Sequence, residues 1–170
     1  MTKRHPVHAT LKAHPLFAEF TDDEIAQLLE SAEPTLFSAD ETIVRKGEKD
    51  RSMFLVAEGT ARVTVKAMDG NALELAQIEA GEFIGELALV DSEPRSADVI
   101  ATTDCMVLEF TMPVLKMLAD QSPIAAFKLA MAVLELVSRR LRKANTRYLD
   151  SLGILSAISG ELSLMVEPAE

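Results

Sequence analysis

Apolar and polar positions change rhythm twice along the chain, dividing it into a helical start, a β region and a helical end. Thr21-Asp22-Asp23-Glu24 has the form of a capping box, in which a hydroxyl and a carboxylate each accept a hydrogen bond from a helix-end amide. Ile25, Leu28 and Leu29 follow at helical spacing, which predicts a short helix over about 21–32. From Pro34 to Phe110 the apolar runs are brief and broken by glycine, and Arg62-Val63-Thr64-Val65-Lys66 alternates as a half-buried strand does. Asp69-Gly70 separates the runs 61–67 and 72–78, predicting a hairpin whose turn needs positive φ. Five of the seven glycines, Gly47, Gly59, Gly70, Gly81 and Gly85, fall in this stretch, spaced like the corners of a compact sandwich or barrel.

After Thr111 the helical rhythm returns, first over 112–120 and then, from Ser122-Pro123, in a long helix predicted to reach about 149. Along it Ile124, Phe127, Met131, Leu134, Ser138, Leu141, Asn145 and Tyr148 follow a strict 3-4 alternation, while Leu129, Val133, Leu136 and Val137 lie on other faces. That is more apolar surface than one contact requires. A polar Asn145 in an apolar seam is how paired helices fix register, so a homodimer through 122–149 is expected. Residues 151–170 form a tail with a possible short helix interrupted by Gly153 and Gly160, ending in a polar stretch expected to fray.

A length of 170 residues, 48% hydrophobic, suits one domain. The net charge of -10 disfavours attraction to nucleic acid or an anionic membrane. The lone Cys105, beside Met106-Val107-Leu108, reads as a buried small hydrophobe. The start of the chain holds no apolar stretch suited to a signal peptide, and the apolar run 124–137 is interrupted by Lys128 and Glu135 and is shorter than the roughly 20 residues of a membrane span, so a soluble cytoplasmic protein is expected. His5, His8 and His14 lie in a start expected to be mobile, with no partner at ligand spacing, and no metal is predicted. Arg139, Arg140, Arg142 and Lys143 read as a solvated stretch pointing to several helix faces.

The chemistry concentrates in Gly81-Glu82-Phe83-Ile84-Gly85-Glu86-Leu87-Ala88-Leu89, followed by Pro94-Arg95-Ser96-Ala97. A glycine at 85 lets backbone approach a ligand, and the amides opening a short helix at Glu86 suit an anion. Arg95 supplies a permanent charge whose planar fork matches two phosphate oxygens, and Ser96 adds a donor. Glu86 beside a phosphate makes sense facing a sugar hydroxyl, with Arg95 offsetting its burial.

These two linked blocks resemble the phosphate-binding cassette of the cyclic nucleotide-binding domain family. Gly47, Phe54, Val56 and Gly59 upstream, and the Pro123 helix with Arg139-Arg140-Leu141-Arg142, extend the resemblance over about 15–150. It implies an α+β fold, a β jelly roll flanked by N-terminal helices and a long C-terminal helix, with 1–14 as a leading segment and 151–170 as a tail. It further implies that Glu86 binds the ribose 2′-hydroxyl, that Arg95 binds the cyclic phosphate, and that amides from Gly85 through Leu87 to Ala88 complete the cradle, with Ala97 closing the second block. Ser96 is similar to the arrangement in bacterial catabolite activator proteins, whereas kinase A regulatory subunits usually carry alanine there. Bacterial regulators of this type append a helix-turn-helix; about twenty residues after the long helix are too few for one, so DNA reading is not expected. The base cap falls on Arg142 or Asn145, which leaves cAMP, the expected ligand, against cGMP open. The function expected is a non-enzymatic sensor that signals to an unknown protein partner through its C-terminal helices; the alternative is an interaction module that keeps the fold without the ligand.

Overall fold

The computed structural model describes residues 7–67, 70–91 and 93–165, with side chains as far as Gly153; His5, Asp69 and the polar end 166–170 lie outside the described residues. The elements are α1 (Val7–Ala13), a 3₁₀ turn (Pro15–Phe17), α2 (Asp22–Glu30), β1 (Pro34–Phe37), β2 (Thr42–Val44), β3 (Ser52–Glu58), β4 (Ala61–Lys66), β5 (Ala72–Ile78), β6 (Phe83–Ile84), a 3₁₀ turn (Glu86–Leu89), β7 (Asp98–Ala101), β8 (Cys105–Thr111), α3 (Met112–Gln121) and α4 (Pro123–Met165). The strands form two antiparallel four-stranded sheets, ordered β1-β8-β3-β6 and β2-β7-β4-β5. This is the jelly-roll arrangement with flanking helices that the cassette implied.

Strand alternation sets the layers. Val56 of β3, Val107 of β8 and Ile84 of β6 join Ile43, Val44, Ala61, Ile78, Val99 and Ala101 in the core cluster. Their neighbours Leu55, Leu108, Phe110 and Phe83 are also fully buried, so the first sheet is covered on both faces. The second covering layer is aromatic: Phe17 stacks against Phe20 at 5.3 Å and Phe83 at 6.0 Å, and Phe83 meets Phe110 at 6.5 Å. Each such ring adds about 0.5–1.5 kcal/mol beyond the area it buries, tying the N-terminal helices to the strand that leads into the cassette.

The capping box is present, Glu24 N–H donating to Thr21 Oγ1 at 3.2 Å and Thr21 N–H to Glu24 Oε2 at 2.7 Å. The hairpin of β4 and β5 closes with Ala67 N–H donating to Asn71 O at 2.8 Å, and Gly70 holds the expected positive φ of 84°. Cys105 is buried, donates to Thr60 O at 3.1 Å, and has its thiol pushed up by burial.

Two expectations need correction. Residues 7–14 are not a mobile start: α1 buries Val7, His8 and Leu11, with His8 Nε2 3.1 Å from Asp22 O, while His14 Nδ1 accepts from Leu16 N–H at 3.3 Å. Both imidazoles therefore serve helix packing. Nor does the long helix stop near 149, because α4 continues to Met165. A glycine inside a helix costs only about 1 kcal/mol relative to alanine, so Gly153 is carried through instead of breaking it.

The chain divides into two units after Val133, within α4. In the first, α4 buries Ala125, Leu129 and Ala132, and Lys128 reaches Glu24 at 2.7 Å while lying 5.9 Å from the Phe20 ring centroid. In the second, residues 141–153 are exposed.

Candidate functional site

The cassette starts at a backbone position that only glycine fits. Gly85 has φ of 74°, and a Cβ there would stand 2.2 Å from Arg95 Nη1. Removing the side chain both permits the left-handed turn and makes room for the guanidinium. Downstream, the 3₁₀ turn Glu86–Leu89 buries Glu86 and Ala88 and exposes Leu87.

Arg95 is the centre of the site, its side chain only 3% exposed. Its Nε–H donates to Asp50 Oδ1 at 2.6 Å and its Nη2 to Asp50 Oδ2 at 2.7 Å, a bidentate ion pair. Nη2 also donates to Ser52 O at 2.7 Å and approaches Ser52 Oγ at 3.2 Å, and Nη1 donates to Gly85 O at 2.7 Å. The guanidinium carbon lies 5.7 Å from the centroid of the Phe54 ring. The backbone is held as well: Gly47 N–H donates to Arg95 O and Arg95 N–H to Glu48 O, both at 2.9 Å. Arg51, next to Asp50, donates to Leu89 O at 3.2 Å and fastens the end of the cassette turn.

The electrostatics follow from this geometry. The Arg95 guanidinium holds the Asp50 carboxyl below its usual value, partial burial opposing it and the Ser52 hydroxyl, which donates at 3.0 Å, helping. Of five buried polar or charged side chains among the described residues, three, Ser52, Glu86 and Arg95, are found here. Such a concentration is costly unless a fold needs it for something other than packing.

The structure thus brings together Gly85, Glu86, Ala88 and Arg95, with Ala97 buried and Ser96 exposed beside them. Two details differ from the sequence reading. The Nε/Nη2 fork of Arg95 faces Asp50, not open space, leaving the Nη1 side turned to the cassette. Of the cassette amides, Ala88 N–H closes on Gly85 O at 3.3 Å. Arg142 and Asn145 are exposed on the distal part of α4. Sequence reasoning missed Asp50 and Ser52, because an acid 45 positions before its arginine looks like any other of the 27 acidic residues. Among the described residues no group of three metal-ligating side chains comes together, and no helix is long and apolar enough to cross a membrane.

Residues 34–122, which contain the sandwich, the cassette and α3, match the cyclic nucleotide-binding domain family. The chain belongs to that family. A cyclic nucleotide-gated potassium channel of Rhizobium etli is 35% identical over 72% of this chain, and the cyclic AMP receptor protein of Thermus thermophilus is 30% identical over 79% of it. The alignments take in 33% and 61% of those relatives, so this cyclic nucleotide-binding domain corresponds to only part of each. Its fold is also that of a crystallised cyclic nucleotide-binding domain from Methylobacillus flagellatus, with a TM-score of 0.74 at 22% identity, covering 85% of this chain and 82% of that one.

Proposed function

We propose that this chain is a cyclic nucleotide sensor, with cAMP its preferred ligand, and that it signals to a protein partner through its C-terminal helices. The observation that carries this reading is the buried Arg95 set against a glycine-shaped cassette, a fixed positive charge in a place where packing alone would favour an apolar side chain. Arg95 grips the cyclic phosphate with help from Ser96 and the amides near Gly85 and Leu87, Glu86 accepts from the ribose hydroxyl, and Arg142 or Asn145 covers the base. The name of the Thermus thermophilus relative favours cAMP over cGMP. The work is binding, not catalysis, and the cytoplasm is its place. Ligand that binds one arrangement of the helices better than another shifts their population, and the partner reads that shift.

The dimer reading gains support from α4. Ile124, Phe127, Met131, Leu134, Leu141 and Tyr148, all on the predicted seam, are at least half exposed. A seam of this kind is expected to pair two copies in parallel, Asn145 meeting Asn145. A single monomeric mass in light scattering at micromolar concentration contradicts it.

Isothermal titration of nucleotide-free protein with cAMP, cGMP and 5′-AMP tests the sensor. Saturable binding of a cyclic nucleotide that Arg95→Ala weakens by ~2 kcal/mol or more is expected, since a buried charged contact is lost. Unchanged affinity in Arg95→Ala refutes the role of Arg95. Binding by none of the three supports a ligand-independent interaction module, which the occupied Nε/Nη2 fork of Arg95 also favours.

A further inference from the structure

The distal part of α4 carries a second surface besides the apolar seam. Between Glu135 and Asp150 there is no acidic residue, and five of the 17 basic residues of the protein, Arg139, Arg140, Arg142, Lys143 and Arg147, fall there. At about 100° per residue, Arg139, Lys143 and Arg147 form one row at i, i+4 and i+8, with Arg140 on the same side and Arg142 apart. Arg139, Lys143 and Arg147 are exposed and Arg140 is half-buried. The row lies nearly opposite the seam of Leu134, Ser138, Leu141, Asn145 and Tyr148 and spans about 12 Å of helix. Pairing through the seam leaves this cationic ridge facing outward on both copies.

We infer that the ridge Arg139–Lys143–Arg147 docks a short carboxylate-bearing helical segment of the partner protein that reads the sensor. This rests on the sensor reading above and names the chemistry of its partner. Two of the three cations are arginines, whose planar fork matches a carboxylate in two bonds. Their i, i+4, i+8 row is a ridge that packs into the groove beside a row of the same spacing on a second helix, so glutamates in that row flank them. Glu135, 3.9 Å from Arg139, already shows the ridge accepting a carboxylate. A nucleic-acid duplex, with a phosphate about every 1.7 Å and a length well beyond the ridge, faces the whole protein's charge of -10. A membrane surface requires an uninterrupted apolar face opposite the cations, and here Ser138 and Asn145 interrupt it.

The test uses the full chain and a fluorescein-labelled alanine-based peptide with glutamates at i, i+4 and i+8, followed by anisotropy at low and physiological salt. Comparison probes are a peptide of the same composition with its glutamates in one block, a short DNA duplex, and phosphatidylcholine vesicles with and without phosphatidylglycerol. The spaced peptide is expected to bind several-fold more tightly than the blocked one. The triple variant R139Q/K143Q/R147Q, at unchanged helicity, is expected to weaken it about tenfold or more, and R139E/K143E/R147E to exchange its preference for a lysine peptide of the same spacing. No binding of the spaced peptide, equal binding of both peptides, indifference to the substitutions, or tighter binding of duplex or vesicle overturns the inference. Titration of the unsubstituted chain with cAMP, beside its peptide titration, separates the two readings: peptide docking without nucleotide binding leaves the ridge standing and removes the sensor, while nucleotide binding without docking does the reverse.

Discussion

Replacing Asp50 by alanine isolates the electrostatics of the site. The substitution removes both carboxylate oxygens that face the Arg95 fork and leaves a guanidinium that is 3% exposed with only Ser52 and Gly85 as acceptors. Removing one member of a buried ion pair costs about 3–5 kcal/mol. Here the Asp50 side chain is 43% exposed, so water enters the vacated space and the cost falls to about 2–3 kcal/mol. For a chain of this length each kcal/mol lowers Tm by about 2–4 °C, which gives a drop of about 4–12 °C by calorimetry without ligand. Saturating cAMP should raise the Tm of the variant by more than it raises that of the parent, because the phosphate supplies the missing negative charge to a fork that has been freed. A ligand-free Tm within about 1 °C of the parent refutes the claim that Asp50 balances Arg95. A cAMP shift no larger than the parent's refutes the claim that phosphate and Asp50 share one side chain.

Gly85→Ala forces a Cβ to within 2.2 Å of Arg95 Nη1 at a φ of 74°, so it should lose ~2 kcal/mol or more in denaturant unfolding and abolish cAMP binding; wild-type affinity contradicts the close approach. Thr21→Ala removes one half of the capping box and should cost about 1 kcal/mol, read as a small fall in Tm with nucleotide affinity intact. Glu24 is held below its ordinary value of 4.5, chiefly by its bond from Lys128, so its contribution is full above that pH and is lost as pH falls through the depressed value. Stability curves of the parent and Glu24→Gln should therefore run parallel above pH 4.5 and converge in more acid solution; a gap that widens on acidification contradicts the pairing.

What could be read from the chain beforehand was local. The capping box at Thr21 and Glu24, the positive φ of Gly70 in the hairpin turn, and the cassette blocks all express constraints acting over a few residues, and each has a residue type that suits it. Leading helix α1 escaped notice because seven residues with no capping signal leave little periodicity; its order comes from burying Val7 and Leu11 against other elements. The reach of α4 past 149 was hidden by Gly153, whose penalty is small against the rest of a 43-residue helix. Asp50 was invisible for a different reason. It answers to an arginine 45 positions away, and only the closing of the sandwich makes them neighbours.

That separation bears on how the protein comes to be functional during folding. Arg95 joins groups 45, 43 and 10 positions earlier in the chain, so three loops must close before its environment exists. Contacts of such long range form late, since loop closure precedes any gain from them. A collapsed intermediate with native helices and a registered β4–β5 hairpin still offers no place for a nucleotide. A nucleotide bound as proposed would accordingly distinguish finished chains from unfinished ones and draw the equilibrium toward the former by mass action.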